Sequence, residues 1–269
     1  MTLRGDQLTE LVSSRNHRAS QHQVTEEGAL KNITRRSFVS TAASGVAVLG
    51  ALGTLAPQAD AQLVWKTEDW KLSEFHCLVK NPAQIKQLFD VTQISDGKFL
   101  VNMKNSLNGL HFGFGVPADN IKLVGGLHGP ANLLNYDDFI WEKYRIGAWL
   151  NVNDPETGKP ALRNPFHLRP STLPPIVPSQ DPDDSASHYQ DFSMQTLQSR
   201  GVQFLSCHTA LEGQVRVLIK HGHLSQTPEA IVREMLAHTV HGTLVVASMV
   251  AAVALLQCEG HYSYISVAS

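Results

Sequence analysis

Between residues 73 and 267, short apolar runs rich in Val, Ile, Leu and Phe alternate with stretches whose apolar positions recur every three or four residues. That rhythm predicts strands alternating with amphipathic helices. The expected strands cover residues 73–79 (SEFHCLV), with Cys77 inside as a buried structural thiol, then 121–127 (IKLVGGL), 202–205, 243–247 and 262–267. Helical spacing predicts helices over 84–89, 99–114, 131–144, 189–199, 211–221, 228–238 and 250–258. In 131–144 the apolar face is Leu133, Leu134, Phe139, Ile140 and Tyr144. Thr227 reads as an N-cap, with Pro228 at the first helical position. Strands this short and apolar belong inside a sheet, so the pattern predicts a mainly parallel sheet with helices on both faces.

The rhythm stops at residues 148–187. Asn151, Asn153, Asp154, Pro155, Gly158 and Pro160 announce turns, and prolines at 165, 170, 174, 175, 178 and 182 exclude regular helix. Residues 154–168 are expected to lie ordered over the sheet edge, and 170–187 to form a mobile insert.

Ahead of the patterned region lies a different kind of sequence. Residues 1–33 are polar and poor in aromatics, which predicts a disordered leader. TRRSF at 34–38, an uncharged Gly- and Ala-rich segment at 39–56 and the small-x-small triplet Ala59, Asp60, Ala61 follow. This segment resembles a twin-arginine signal, with Arg35 and Arg36 as the paired arginines and cleavage after Ala61. The resemblance implies export of a folded protein by the twin-arginine (Tat) translocase to a bacterial periplasm. An uncleaved segment would act as an anchor instead, although its many small residues make it marginal for spanning a bilayer. The domain proper is then 62–269.

Composition narrows the chemistry. Of 269 residues 42% are hydrophobic and 17% charged, and the formal net charge is −2, which suits a globular protein and gives no electrostatic case for binding nucleic acid. Three cysteines, Cys77, Cys207 and Cys258, are too few for a disulfide framework. The 13 histidines form neither HExxH nor a Cys/His cluster at zinc spacing, so no metal and no cofactor are expected.

The stretch GVQFLSCHTALEG at 201–213 carries the most chemistry. Its apolar run passes into helical spacing at Ala210, which places Cys207 at a strand-to-helix turn, at the carboxyl end of a strand. Unpaired N–H groups at a helix start favour a thiolate, so Cys207 is either a reactive thiol or a buried space-filler. His208 and His128 are candidate proton acceptors beside it. Arg163 and Asn164, in ALRNPF, are the candidate substrate-binding pair, Arg163 by a forked hydrogen bond to an anionic group.

Three segments, VGGLHG (124–129), WEKYRIG with DPETGKPALRNPF (141–166), and GVQFLSCHTALEG with LVVASMVAAVALLQCEGHYSYISV (244–267), resemble the DsrE/DsrF-like group, and in particular its exported members. The resemblance implies a flavodoxin-like α/β fold with a five-stranded sheet, assembly into homo-oligomers, and a sulfur relay in which Cys207 holds a persulfide. It further implies a protein that donates or accepts the sulfur. His208 and Thr209 stand where exported relatives often carry two asparagines, and Ala247, Ser248 and Met249 where they carry a Pro-Ala-Gly turn. The alternative is a non-catalytic periplasmic module that binds a small ligand or serves assembly.

Overall fold

A computed structural model of the chain describes residues 67–267, apart from His223. The expected leader, the expected signal segment at 34–61 and the expected cleavage after Ala61 fall outside the described residues. Five strands form one all-parallel sheet: β1 (Ile85–Val91), β2 (Ile121–Leu127), β3 (Gln203–Cys207), β4 (Leu244–Val246) and β5 (Ser263–Ser266). Their order is β4-β3-β2-β1-β5. The chain therefore steps from β1 to β4 in one direction and returns across the sheet to place β5 beside β1. Both faces are covered by helices, as in flavodoxin-like α/β proteins.

The strand side chains divide the core in two. Phe89, Val91, Leu123, Leu127 and Phe204 point to one face. There they meet α2 (Lys98–Asn108), α3 (Asp138–Lys143), α4 (Ile146–Leu150), α5 (Met194–Ser199), α6 (His208–Gly222) and α7 (Pro228–Ala237). Leu88, Val124, Leu205, Cys207, Leu244 and Val246 point to the other face, which is covered by α1 (Leu72–Val79) and α8 (Met249–Cys258). Thr227 caps α7 as expected, its side chain accepting from the Ala230 N–H at 3.3 Å.

Two elements exchange roles relative to the sequence pattern. Residues 73–79 are helix, not strand: Phe75, Leu78 and Val79 are buried at helical spacing, and Cys77 is exposed rather than a core thiol. The first strand is instead β1, in a stretch whose pattern suggests helix. Leu88, Phe89 and Val91 are buried on opposite faces of a central strand, and a strand covered on both faces loses its polar alternation.

The expected helix over 131–144 is broken in two. Gly129–Asn135 winds as a 3-10 segment, Tyr136 is extended, and Asp137 starts α3 by accepting from the Ile140 N–H at 3.3 Å. The break lets Asn132 and Asn135 turn inward to the sheet, and Phe139 stacks on His238 instead of joining the core. Beyond the short helix α4, residues 151–193 contain neither helix nor strand. Isolated bridges Asn153–Pro160 and Val177–Ser187 close this segment on itself.

Candidate functional site

Cys207 is the last residue of β3 and His208 the first of α6, so the thiol stands at the strand-to-helix turn. Its side chain lies on the thinner face, and the residue is 5% exposed. Two backbone N–H groups point at Sγ, from Ala210 in the first turn of α6 at 3.4 Å and from Met249, the first residue of α8, at 3.2 Å. Both are helix-start donors without an intrahelical acceptor, and both carry the positive end of a helix dipole. A neutral thiol is a weak acceptor, so two such donors on one sulfur suit a thiolate. In the thiol form the proton has an outlet at Thr209 Oγ1, 3.7 Å away, which itself donates to the Ala247 carbonyl at 2.7 Å.

The second donor reaches the sulfur because α8 comes close to the sheet. A β-carbon on Gly126 would stand 2.8 Å from Met249 Sδ, so β2 has no side chain where the start of α8 presses down.

From the opposite face, Asn132 holds the backbone of the turn. It is fully buried; its Oδ1 accepts from the Cys207 N–H at 2.9 Å and the Ser206 hydroxyl at 3.1 Å, and its Nδ2 donates to the Cys207 carbonyl at 3.3 Å. Asn135 donates to the Leu205 carbonyl at 3.2 Å, and the Tyr136 hydroxyl lies 3.2 Å from Ser206 Oγ. Burial pushes the Tyr136 phenol far above its ordinary range, against the hydrogen bonds from Ser206 and Asn132. These two amides brace the turn from beneath, and the sequence pattern does not single them out.

The two candidate histidines differ sharply. His208 is 2% exposed, with Nε2 at 2.9 Å from Asp69 Oδ2 and Nδ1 at 3.6 Å from Glu212 Oε1, and its ring meets Trp70 edge-on. Both nitrogens face carboxylates, so His208 fastens the Thr67–Asp69 turn to the start of α6. His128 follows β2 directly and keeps an extended backbone, and its N–H donates to the Val91 carbonyl at 3.0 Å. Its Nε2 lies 2.7 Å from Asp90 Oδ1, and no hydrogen bond from a described residue reaches Nδ1.

Arg163 and Asn164 sit elsewhere. Arg163 is forked between Asp154 at 3.1 Å and Glu156 at 2.8 Å. Asn164 is buried, donating to the Leu134 carbonyl at 2.7 Å and accepting from the Phe166 N–H at 3.1 Å. Leu134 belongs to the thicker core, across the sheet from Sγ, so the structure does not bring this pair to the cysteine.

All three cysteines are free. Among the described residues no group of three or more His, Cys, Asp or Glu side chains could hold a metal ion, and no helix is long and apolar enough to cross a membrane. No family model, curated protein or solved structure matches the chain.

Proposed function

We propose that this chain is a thiol-based sulfur carrier of the DsrE/DsrF-like kind, exported through the signal at 34–61 and working in the periplasm as a homo-oligomer, with Cys207 as the sulfur-bearing residue. The observation that carries this reading is the pair of N–H groups, from two different helices, aimed at one sulfur. Such donors stabilise negative charge on the cysteine sulfur and so favour the thiolate that attacks a donor persulfide. Loading requires only exchange with a donor persulfide R–S–SH. The Cys207 sulfur bonds to the outer sulfur, the donor's S–S bond breaks, and R–S⁻ leaves.

A second reading has its own support. An apolar cavity of about 110 Å³ lies beside the turn, lined by Trp70, Phe75, Val246, Ala247, Ser248 and Ala252. It is somewhat smaller than the engineered cavities of about 150 Å³ that hold benzene, and it would suit a small apolar group in a module whose cysteine does no chemistry.

The test is to incubate the full chain carrying Cys77→Ser and Cys258→Ser with glutathione persulfide and to record its intact mass. The carrier reading expects a gain of one sulfur atom, removable by a reducing thiol and lost in Cys207→Ser. An unchanged mass favours the binding module.

A further inference from the structure

A second cavity, of about 740 Å³, opens past the carboxyl ends of β1 and β2. Its walls are the loop after β1 (93–96), Pro130 in the segment after β2, and the end of α4 with the residues that follow it (149–153). None of Thr209, Ala210 and Met249, which touch Cys207 Sγ, lines it. Open α/β sheets hold ligands past the carboxyl ends of their strands, and a cavity of this size accommodates a small molecule.

The wall beside β1 is held in a costly backbone. Ser95, Asp96 and Gly97 have φ of 42°, 52° and 73° in succession. L-residues enter the left-handed region singly, so a run of three persists only where its neighbours hold it. The Gly97 N–H donates to the Ile94 carbonyl at 2.8 Å, and a β-carbon on Gly97 would stand 2.6 Å from Phe166 Cε1, so the ring clamps the turn. The Phe166 N–H is in turn held by Asn164 Oδ1. Across the cavity Asn151 is also left-handed, at φ 55°. Three of the five non-glycine residues with positive φ among the described residues thus line this one cavity, and strain gathered in one place marks binding sites.

The polar side chains at the cavity are Gln93, Ser95, Asp96, Asn151 and Asn153, and none of them is hydrogen-bonded to another described residue. Trp149 and Phe166 add aromatic surface. No cationic side chain lines the cavity, so an anionic ligand would meet the Asp96 carboxylate without a counter-charge. Amides donate and accept, and a carboxylate accepts from two hydroxyls at once. The negative face of an aromatic ring suits the C–H face of a sugar.

We propose that this cavity binds a neutral sugar, with Asp96 and Asn151 hydrogen-bonding its hydroxyls and Trp149 stacking on its C–H face. The backbone beneath Asp96 and Asn151 is already fixed, so binding orders little of the protein. This site goes beyond the carrier reading and does not depend on it.

The experiment titrates the full chain with D-glucose, D-galactose and N-acetyl-D-glucosamine by calorimetry, with adenosine and inorganic phosphate run alongside. At least one of the three sugars should bind with a Kd of about 1 mM or tighter, and phosphate should not bind. Asp96→Asn and Asn151→Gly keep the left-handed backbone and remove the carboxylate and the amide. They should weaken that sugar by about 10-fold and about 5-fold respectively. Both residues are exposed, so neither substitution disturbs the core. Cys207→Ser should bind the sugar as wild type does, so this site and the carrier reading fail separately. The proposal is overturned if none of the three sugars binds, if adenosine or phosphate binds in their place, or if both substitutions leave the sugar affinity unchanged.

Discussion

The two faces of the sheet treat neighbouring residues of one strand in opposite ways. Ser206 points into the thicker face, where Asn132, Asn135 and Tyr136 surround it with fully buried polar atoms. Cys207, one residue on, points into the thinner face, where the donors at its sulfur are backbone N–H groups of two helix starts. The first environment fixes a backbone. The second aims two backbone N–H donors at a sulfur. Strand alternation thus separates the brace of the turn from the proposed reactive sulfur over a single peptide bond, because successive side chains leave a strand on opposite sides.

Four perturbations probe this division, in decreasing size of expected effect. Phe204→Ala, in the thicker core, should cost about 4 kcal/mol in denaturant unfolding, since a fully buried ring leaves a cavity there. Asn132→Ala should cost about 3 kcal/mol by the same measurement, because the Cys207 N–H, the Ser206 hydroxyl and the Cys207 carbonyl lose a buried partner. An Asn132→Ala variant as stable as wild type would mean that the thicker face does not brace the turn.

Gly126→Ala perturbs the thinner face. Its new methyl group meets Sδ and Cγ of the buried Met249 side chain, so the start of α8 must give way at an expected stability cost of about 1 to 2 kcal/mol. The displaced start of α8 should draw the Met249 N–H away from Sγ, and sulfur loading should fall by more than the stability loss accounts for. Unchanged loading would remove the second helix from the account.

The smallest effect is the pH dependence of stability through Asp90 and Tyr264. The hydrogen bond from His128 holds the Asp90 carboxyl below its ordinary range, opposed by burial and helped by the Tyr264 hydroxyl. The stability it contributes is present above the unfolded carboxylate value of about 3.9 and is lost as pH falls through the folded value. The hydrogen bond to Asp90, with burial, raises the Tyr264 phenol. Its contribution is present below the unfolded value of about 10 and is lost as pH rises through the folded one. Asp90→Asn should flatten both limbs of the unfolding free energy against pH, and limbs identical to wild type would show that the pair does not couple to folding.

The strand-to-helix turn that carries Cys207 is readable in the sequence, and its supports are hidden. Strands over 121–127 and 202–205, the turn at Cys207 and the helices after it follow from apolar runs that end in helical spacing. Residues 73–91 mislead because Phe75, Cys77 and Val79 mimic alternation in a helix, while a central strand buried on both faces shows none. Asp90 sits inside that misread strand, so nothing in the pattern links it to His128. Asn132 and Asn135 carry one local signal, two amides three residues apart within an apolar run, but their partners lie some 70 residues away in sequence. Register and facing are long-range properties, and they decide which polar residues meet.

The most direct test of Cys207 as a reactive thiol is a competition among the three free cysteines of the native chain. Limiting iodoacetamide at neutral pH, followed by peptide mass spectrometry, gives their relative rates. Cys77 and Cys258 are exposed and Cys207 is nearly covered, so accessibility alone ranks Cys207 last. The two N–H donors at its sulfur predict that Cys207 is alkylated first. If Cys207 stays unmodified while the exposed pair reacts, the sulfur is a packing group, and the carrier account is contradicted.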